Sequence, residues 1–170
     1  MKTGFDLDGV IIKDRLGLTR YWLTGWFCNC YFFYTRLGKV LYKYRPIDAK
    51  THLWLKNRKN RGEKITIISG TNKDHYRLVH SWLNFYRIPY DFIYLKEKEN
   101  GIAEYKAEIL ARIDWQFYLE DNYQVAEEIV NILISQYNQP ARLRKWKRGR
   151  QILYLILIKN NRKNNNGLKS

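Results

Sequence analysis

Phe5-Asp6-Leu7-Asp8-Gly9 sets two carboxylates two positions apart at the end of a short apolar run. In an extended strand, residues two apart face the same way. A glycine at the strand's end lets the backbone turn sharply, so Asp6 and Asp8 share one opening, close enough to hold a divalent cation and a phosphate between them. Two acids at a buried strand end are costly without a cation, which makes the stretch a phosphoryl-transfer arrangement in outline.

Downstream, strand-like and helix-like stretches alternate. Pro46 restarts the chain, and a helix closed by Gly62 leads into the apolar strand Lys64 to Ile68, stopped by Ser69 and Gly70. Helical spacing over 72–86 precedes Pro89 and a strand over 91–95, then a polar loop from Lys96 to Asn100. A helix from Ala103 to Ala111 leads to the strand 115–119, which ends in Glu120-Asp121-Asn122, and a further helix runs from Tyr123 to about Gln136. This alternation predicts an α/β fold, a Rossmann-like parallel sheet flanked by helices. Beyond Pro140, two strands over 141–146 and 151–159 enclose the basic turn Lys147-Arg148-Gly149.

Residues 12–45 interrupt this pattern with a helical, aromatic-rich insert containing Tyr21, Trp22, Trp26, Phe27, Tyr31, Phe32, Phe33 and Tyr34. The expected organisation is a core over 1–11 and 46–159, a small helical cap over 12–45, and a disordered, Asn-rich tail over 160–170. At 170 residues the chain has room for one core and an appendage, not two full domains. Cys28 and Cys30 are too close for an ordinary disulfide and unsuited to a zinc knuckle, so a reduced, cytoplasmic setting is expected. The charge-free stretch from Tyr21 to Thr35 is shorter than a bilayer span.

Lysines and arginines number 31 against 16 acids, a net charge of +15. A surplus of this size points to a polyanionic partner: a phosphorylated substrate, nucleic acid or anionic lipid. No acid follows Glu128, and Arg142, Arg144, Lys145, Lys147, Arg148 and Arg150 cluster near the C-terminal end. Alternation along a strand makes Arg142, Arg144 and Lys145 a candidate track for a phosphate backbone, with Trp146 available to stack on a base.

In open parallel sheets, ligands collect at the C-terminal ends of strands. Here those ends carry Asp6 with Asp8, then Ser69, then Glu120 with Asp121, and Lys106 lies between the last two. This order resembles the haloacid dehalogenase-like (HAD) hydrolase superfamily. Asp6-Leu7-Asp8-Gly9-Val10 matches its first motif, Ser69 its second, Lys106 its third and Glu120-Asp121 its fourth, over residues 4 to about 135, with residues 12–45 where the family places its first type of cap.

The resemblance implies a phosphomonoesterase working through an aspartyl-phosphate. Asp6 would be the nucleophile and Asp8 the acid/base; Mg²⁺ would be held by Asp6, the Asp8 carbonyl and Asp121, with Glu120 as an outer-shell or alternative ligand. Ser69, Gly70 and Lys106 would hold the transferring phosphoryl group. Thr71 stands where many relatives carry an arginine, which leaves a substrate-binding arginine open at that point. Arg20, with Arg15, Arg36 or Lys39 as alternatives, is the candidate in the cap. The expected substrate is a nucleotide or a nucleic-acid terminal phosphate; a broad small-metabolite phosphatase, and a non-catalytic binder of nucleic acid or anionic membrane, are the competing readings. Peripheral membrane contact is the less favoured partner.

Overall fold

The computed structural model describes residues 2–12, 42–97, 101–113, 115–148 and 151–158. The expected cap, with Arg15, Arg20, Arg36, Lys39 and both cysteines, lies outside the described residues apart from residue 12 and residues 42–45. The tail over 160–170 lies outside them as well.

Six strands form one sheet. β1 (Lys2–Phe5), β2 (Lys64–Asn72), β3 (Phe92–Lys96) and β4 (Phe117–Glu120) run parallel, and β5 (Ala141–Arg148) and β6 (Gln151–Ile158) form an antiparallel hairpin beside β4. The order is β3-β2-β1-β4-β6-β5, with β1 central among the parallel strands. The sheet is therefore mixed at one edge, where the hairpin hydrogen-bonds to β4 with Glu120 opposite Tyr154.

Four helices connect the strands: α1 (Ala49–Asn60), α2 (Tyr76–Phe85), α3 (Ile102–Arg112) and α4 (Tyr123–Ser135). Their ends follow local chemistry. Asp48 caps α1 by accepting from the Thr51 N–H, and Asn122 caps α4 by accepting from the N–H groups of Gln124 and Val125. Among the described residues, no helix is long and apolar enough to cross a membrane.

The period-2 alternation of the strands sorts the core into two layers. Phe5, Ile65, Ile67, Phe117 and Leu119 pack with Leu55 of α1 and with Val79, Trp82 and Leu83 of α2. Ile68 and Tyr118 turn the other way, against Ala103, Ala107 and Leu110 of α3 and Ala126, Ile129 and Leu133 of α4. α1 and α2 thus cover one face, α3 and α4 the other. The continuous apolar runs of β2 and β4 reflect burial on both sides.

Several boundaries differ from the sequence expectation; β5 runs on to Arg148, so that Lys147 and Arg148 belong to the strand and not to the turn. β2 does not stop before Ser69 but continues to Asn72, because pairing with β3 resumes after a bulge: Ser69 lies opposite Leu95 and Asn72 opposite Lys96. α2 accordingly begins at Tyr76, after a 3₁₀ turn over Lys73–His75 whose Asp74 N–H is bonded by the Asn72 side chain.

At the opposite end of the sheet from these bulged residues, Asp91 ties β3's entry to β2. Its carboxylate accepts from Lys59 Nζ at 2.6 Å, Lys64 Nζ at 3.5 Å and the Ile65 N–H at 2.8 Å. Partial burial pushes its pKa up, but the hydrogen bonds from Lys59 and the Ile65 N–H, with both lysine charges, outweigh that and hold it below the usual value. A depressed folded-state pKa stabilises the fold above the unfolded value and loses that contribution as pH falls through the folded one. Asp91→Asn is expected to lower stability by about 1 kcal/mol at neutral pH, a small figure because solvent screens the pair. Denaturant unfolding should show the difference from the parent chain closing below about pH 4, and a gap unchanged in acid would show that ionisation of Asp91 is not its source.

Candidate active site

Asp6 leaves the end of β1 with its N–H donating to the Leu119 carbonyl at 2.9 Å, which continues the β1·β4 ladder and sets its side chain beside Glu120. Lys106, on the face of α3 that packs against the sheet, is 2 % exposed and reaches both acids: Nζ donates to Asp6 Oδ1 at 2.9 Å and to Glu120 Oε2 at 2.6 Å. The Tyr118 hydroxyl lies 3.2 Å from Glu120 Oε2 and 3.3 Å from the Ile68 carbonyl, either of which accepts its proton. Glu120 Oε1 accepts from the N–H groups of Asp121 and Asn122. Both oxygens of Glu120 are thereby engaged by the protein itself.

Asp6, Glu120 and Asp121 each bring one carboxylate oxygen within 4.8 Å of the other two. Three carboxylates face one ammonium, two of the acids being buried, and an uncompensated charge in such a place costs several kcal/mol. Burial and the neighbouring Glu120 push the Asp6 carboxyl well above the usual carboxylate range, while Lys106 pulls it back. Burial works against the Lys106 charge, yet Asp6 and Glu120 more than offset it and hold the ammonium above its ordinary pKa. The Tyr118 hydroxyl is also held well above its ordinary value, by burial first and then by Asp6 and Glu120. An all-oxygen donor set of this charge fits a hard divalent cation.

Gly9 makes the approach of Asp121 feasible. Its φ is +75°, a left-handed conformation that favours glycine, and a Cβ there would sit 2.0 Å from Asp121 Oδ2.

Asp8 stands apart from this cluster, in a second network. Its Oδ1 accepts from the Arg45 guanidinium at 2.5 Å and its Oδ2 from the Thr71 hydroxyl at 3.3 Å. Ser69 Oγ donates to Thr71 Oγ1 at 3.0 Å and accepts from the Thr71 N–H at 3.1 Å. Ser69, inside β2, is fully buried, and Gly70 packs beside Ile102 at the start of α3, where a Cβ would come within 3.2 Å of that side chain.

Sequence reasoning missed Arg45. It was read only as the edge of the helical insert, yet its side chain is 13 % exposed, its guanidinium lies 5.1 Å from the centre of the Tyr42 ring as well as bonding Asp8, and its carbonyl accepts from Trp82 Nε1 at 3.2 Å. Burial lowers the Arg45 pKa, but Asp8 and Tyr42 outweigh it and raise the value overall. The one signal in the sequence is the Arg45-Pro46 pair, since the residue before a proline is driven to extended backbone. Close by, Ile12 bridges Ile47 in antiparallel fashion and the Asp48 N–H donates to the Ile11 carbonyl at 2.9 Å, so the chain leaves and re-enters the core at one place beside Asp8.

The basic strand is divided between the two faces of the sheet. Arg142, Arg144 and Trp146 pair with Leu157, Leu155 and Leu153 and share the α1 face; the Trp146 ring lies 5.3 Å from that of Trp54 and packs on the core there. Lys145 lies opposite Tyr154, on the α4 face. The four residues expected to form one track are thus not on one surface, because residues adjacent along a strand point to opposite sides. Arg20 lies outside the described residues.

No protein-family model matches the chain, and no curated protein matches it. Among solved structures it is similar to a chain of a Pnkp1/Rnl/Hen1 RNA repair complex, at 18 % identity and a TM-score of 0.55 over 82 % of the present chain and 40 % of that one. A second structure of a Pnkp1/Rnl/Hen1 complex aligns at 19 % identity with a TM-score of 0.55, over 82 % of the present chain and 44 % of the other. The chain spans less than half the length of either. Identity this low shows a shared fold.

Replacing Gly9 by alanine would force the Asp121 carboxylate out of the cluster. Gly9→Ala is expected to weaken divalent-cation binding by about 10- to 100-fold, measured by titration calorimetry with Mg²⁺; unchanged affinity would remove Asp121 from the ligand set.

Proposed function

We propose that this chain, with three carboxylates gathered so that they can hold a metal ion on a fold shared with part of an RNA repair complex chain, is a Mg²⁺-dependent phosphomonoesterase of the haloacid dehalogenase-like kind, working through an aspartyl-phosphate. The observation that carries this reading is Lys106, from mid-helix, bonded at once to Asp6 and Glu120 at the ends of two adjacent strands, with Asp121 completing the cluster. A lysine buried for packing alone would not be given two carboxylates and a third beside them.

Asp6, the Asp8 carbonyl and Asp121 would hold the cation, and both oxygens of Glu120 are already engaged, which supports its role as the group that fixes Lys106. Bound there, Mg²⁺ would neutralise the carboxylates and draw charge from the phosphoryl oxygens. An Asp6 oxygen attacks phosphorus, the bond to the leaving oxygen breaks, and Asp8 delivers the proton that oxygen needs. In the second half Asp8 takes a proton from water, which attacks the aspartyl-phosphate and releases inorganic phosphate with Asp6 restored. Lys106 and Ser69 offer donors to the equatorial oxygens, the main protein contribution to phosphoryl transfer. Arg45 and Thr71 hold one Asp8 oxygen each and so set the direction in which that carboxyl points.

The phosphate is taken to be carried by a nucleotide or a nucleic-acid end. The net charge of +15 and the fold shared with a chain of an RNA repair complex support this substrate class over a broad range of small phosphorylated metabolites.

Asp6→Asn is expected to reduce Mg²⁺-dependent hydrolysis of an aryl phosphate by more than about a thousandfold while leaving the circular dichroism spectrum unchanged; retained turnover would sink the proposed nucleophile. Arg45→Ala should lower kcat by about tenfold or more with a smaller change in KM, since it misaims Asp8 without removing it. A rise confined to KM would instead make Arg45 a substrate anchor.

A further inference from the structure

The β5–β6 hairpin overhangs the edge of the sheet at which the acids gather. Glu120, the last residue of β4, pairs with Tyr154, so residues 151–153 of β6 and their partners 146–148 of β5 extend past it, a reach of about 10 Å at roughly 3.3 Å per residue. Residues directly opposite one another share a face. Glu120, Tyr154 and Lys145 therefore form a row across three strands, and Lys147 and Ile152 stand one step farther out on the same face.

This face is open. Lys145 and Lys147 are exposed, their cross-strand partners are Tyr154 and Ile152 rather than acids, and no acid follows Glu128 in the chain. The Tyr154 ring meets that of Tyr123, the first residue of α4, at 5.3 Å and 56°. Tyr123 is 47 % exposed, and its hydroxyl donates to Glu127 at 2.6 Å, which fixes the ring while leaving it uncovered. Two tyrosines and two lysines thus flank Asp121 and Asn122 on a single surface.

We infer that this ledge docks single-stranded nucleic acid, with Tyr123 and Tyr154 stacking on an unpaired base and Lys145 and Lys147 taking backbone phosphates. Fixed rings and cations whose cross-strand partners are not acids are the two elements of sequence-tolerant strand binding, and the Glu127 carboxylate beside Tyr123 is engaged by that ring's hydroxyl. A lipid surface would call for apolar side chains to insert, and Ile152 is the sole aliphatic among these residues. The ledge deepens the proposed function, on which it rests for one point: the row from Lys145 to Glu120 leads a strand's phosphorylated end toward Asp6. Arg142, Arg144 and Trp146 lie on the opposite face and play no part in it.

Binding of an unphosphorylated single strand of about ten nucleotides to the full chain isolates the ledge from the phosphate site. Fluorescence anisotropy should show affinity that falls steeply with salt, and K145Q/K147Q should weaken it about tenfold and reduce the log–log salt slope by about 1.4, two contacts' worth for a single strand. Tyr123→Ala should weaken binding about fivefold with the slope unchanged. Either variant binding like the parent chain overturns the ledge, as does an R142Q/R144Q variant losing as much as K145Q/K147Q. Binding to phosphatidylserine vesicles with none to the oligonucleotide overturns it in favour of a membrane surface. Failure of the phosphatase reading is separable, since it shows as aryl-phosphate turnover that persists in Asp6→Asn, whereas strand binding needs no turnover.

Discussion

A single ammonium group, Lys106 Nζ, holds three pieces of this structure together: the end of β1 through Asp6, the end of β4 through Glu120, and α3, which carries it. The nearest carboxylates compensate its burial, and it in turn makes two neighbouring carboxylates tolerable. The arrangement is not neutral, however. With Asp121 counted, the acids exceed the base, and a cluster left short of positive charge in a low-dielectric setting favours any cation or electrophile that can supply it. The same imbalance that works against stability is what would let the cluster hold a metal ion.

A second network divides the labour. Asp6 belongs to the Lys106 cluster, whereas Asp8, two residues on, is held by Arg45 and Thr71. One sits among acids and a lysine and the other against a guanidinium and a hydroxyl. On the proposed function, these different surroundings would let two identical side chains take different parts. Ser69 joins the second network through Thr71, so the bulge that prolongs β2 past Ser69 is what carries the threonine hydroxyl to Asp8.

The parallel core was legible in the sequence because buried strands and their turns leave local marks: apolar runs in β2 and β4, and the glycines Gly9 and Gly62 where φ is positive. Asp6, Lys106, Glu120 and Asp121 could be read as a set from their order at strand ends, and the structure brings these four together. Arg45 was not legible, since its contacts depend on Asp8 and Trp82 converging on it from distant parts of the chain. The basic strand was misjudged for a related reason. Composition shows that cations are present, but only the register of β5 on β6 shows that Arg144 and Lys145 face opposite ways.

The bridge between Ile12 and Ile47, reinforced by the Asp48 N–H on the Ile11 carbonyl, has a consequence for how such a protein can vary. Because the chain departs and returns at a clamped pair of backbone positions, the length of the intervening stretch is nearly decoupled from the core: doubling it adds only about 0.6 kcal/mol of closure entropy. Residues 13–41 can therefore differ in length at little cost in closure, while the segment that returns to the core from Tyr42 to Ile47 stays fixed by its packing there and by the Arg45 contacts to Asp8 and Trp82.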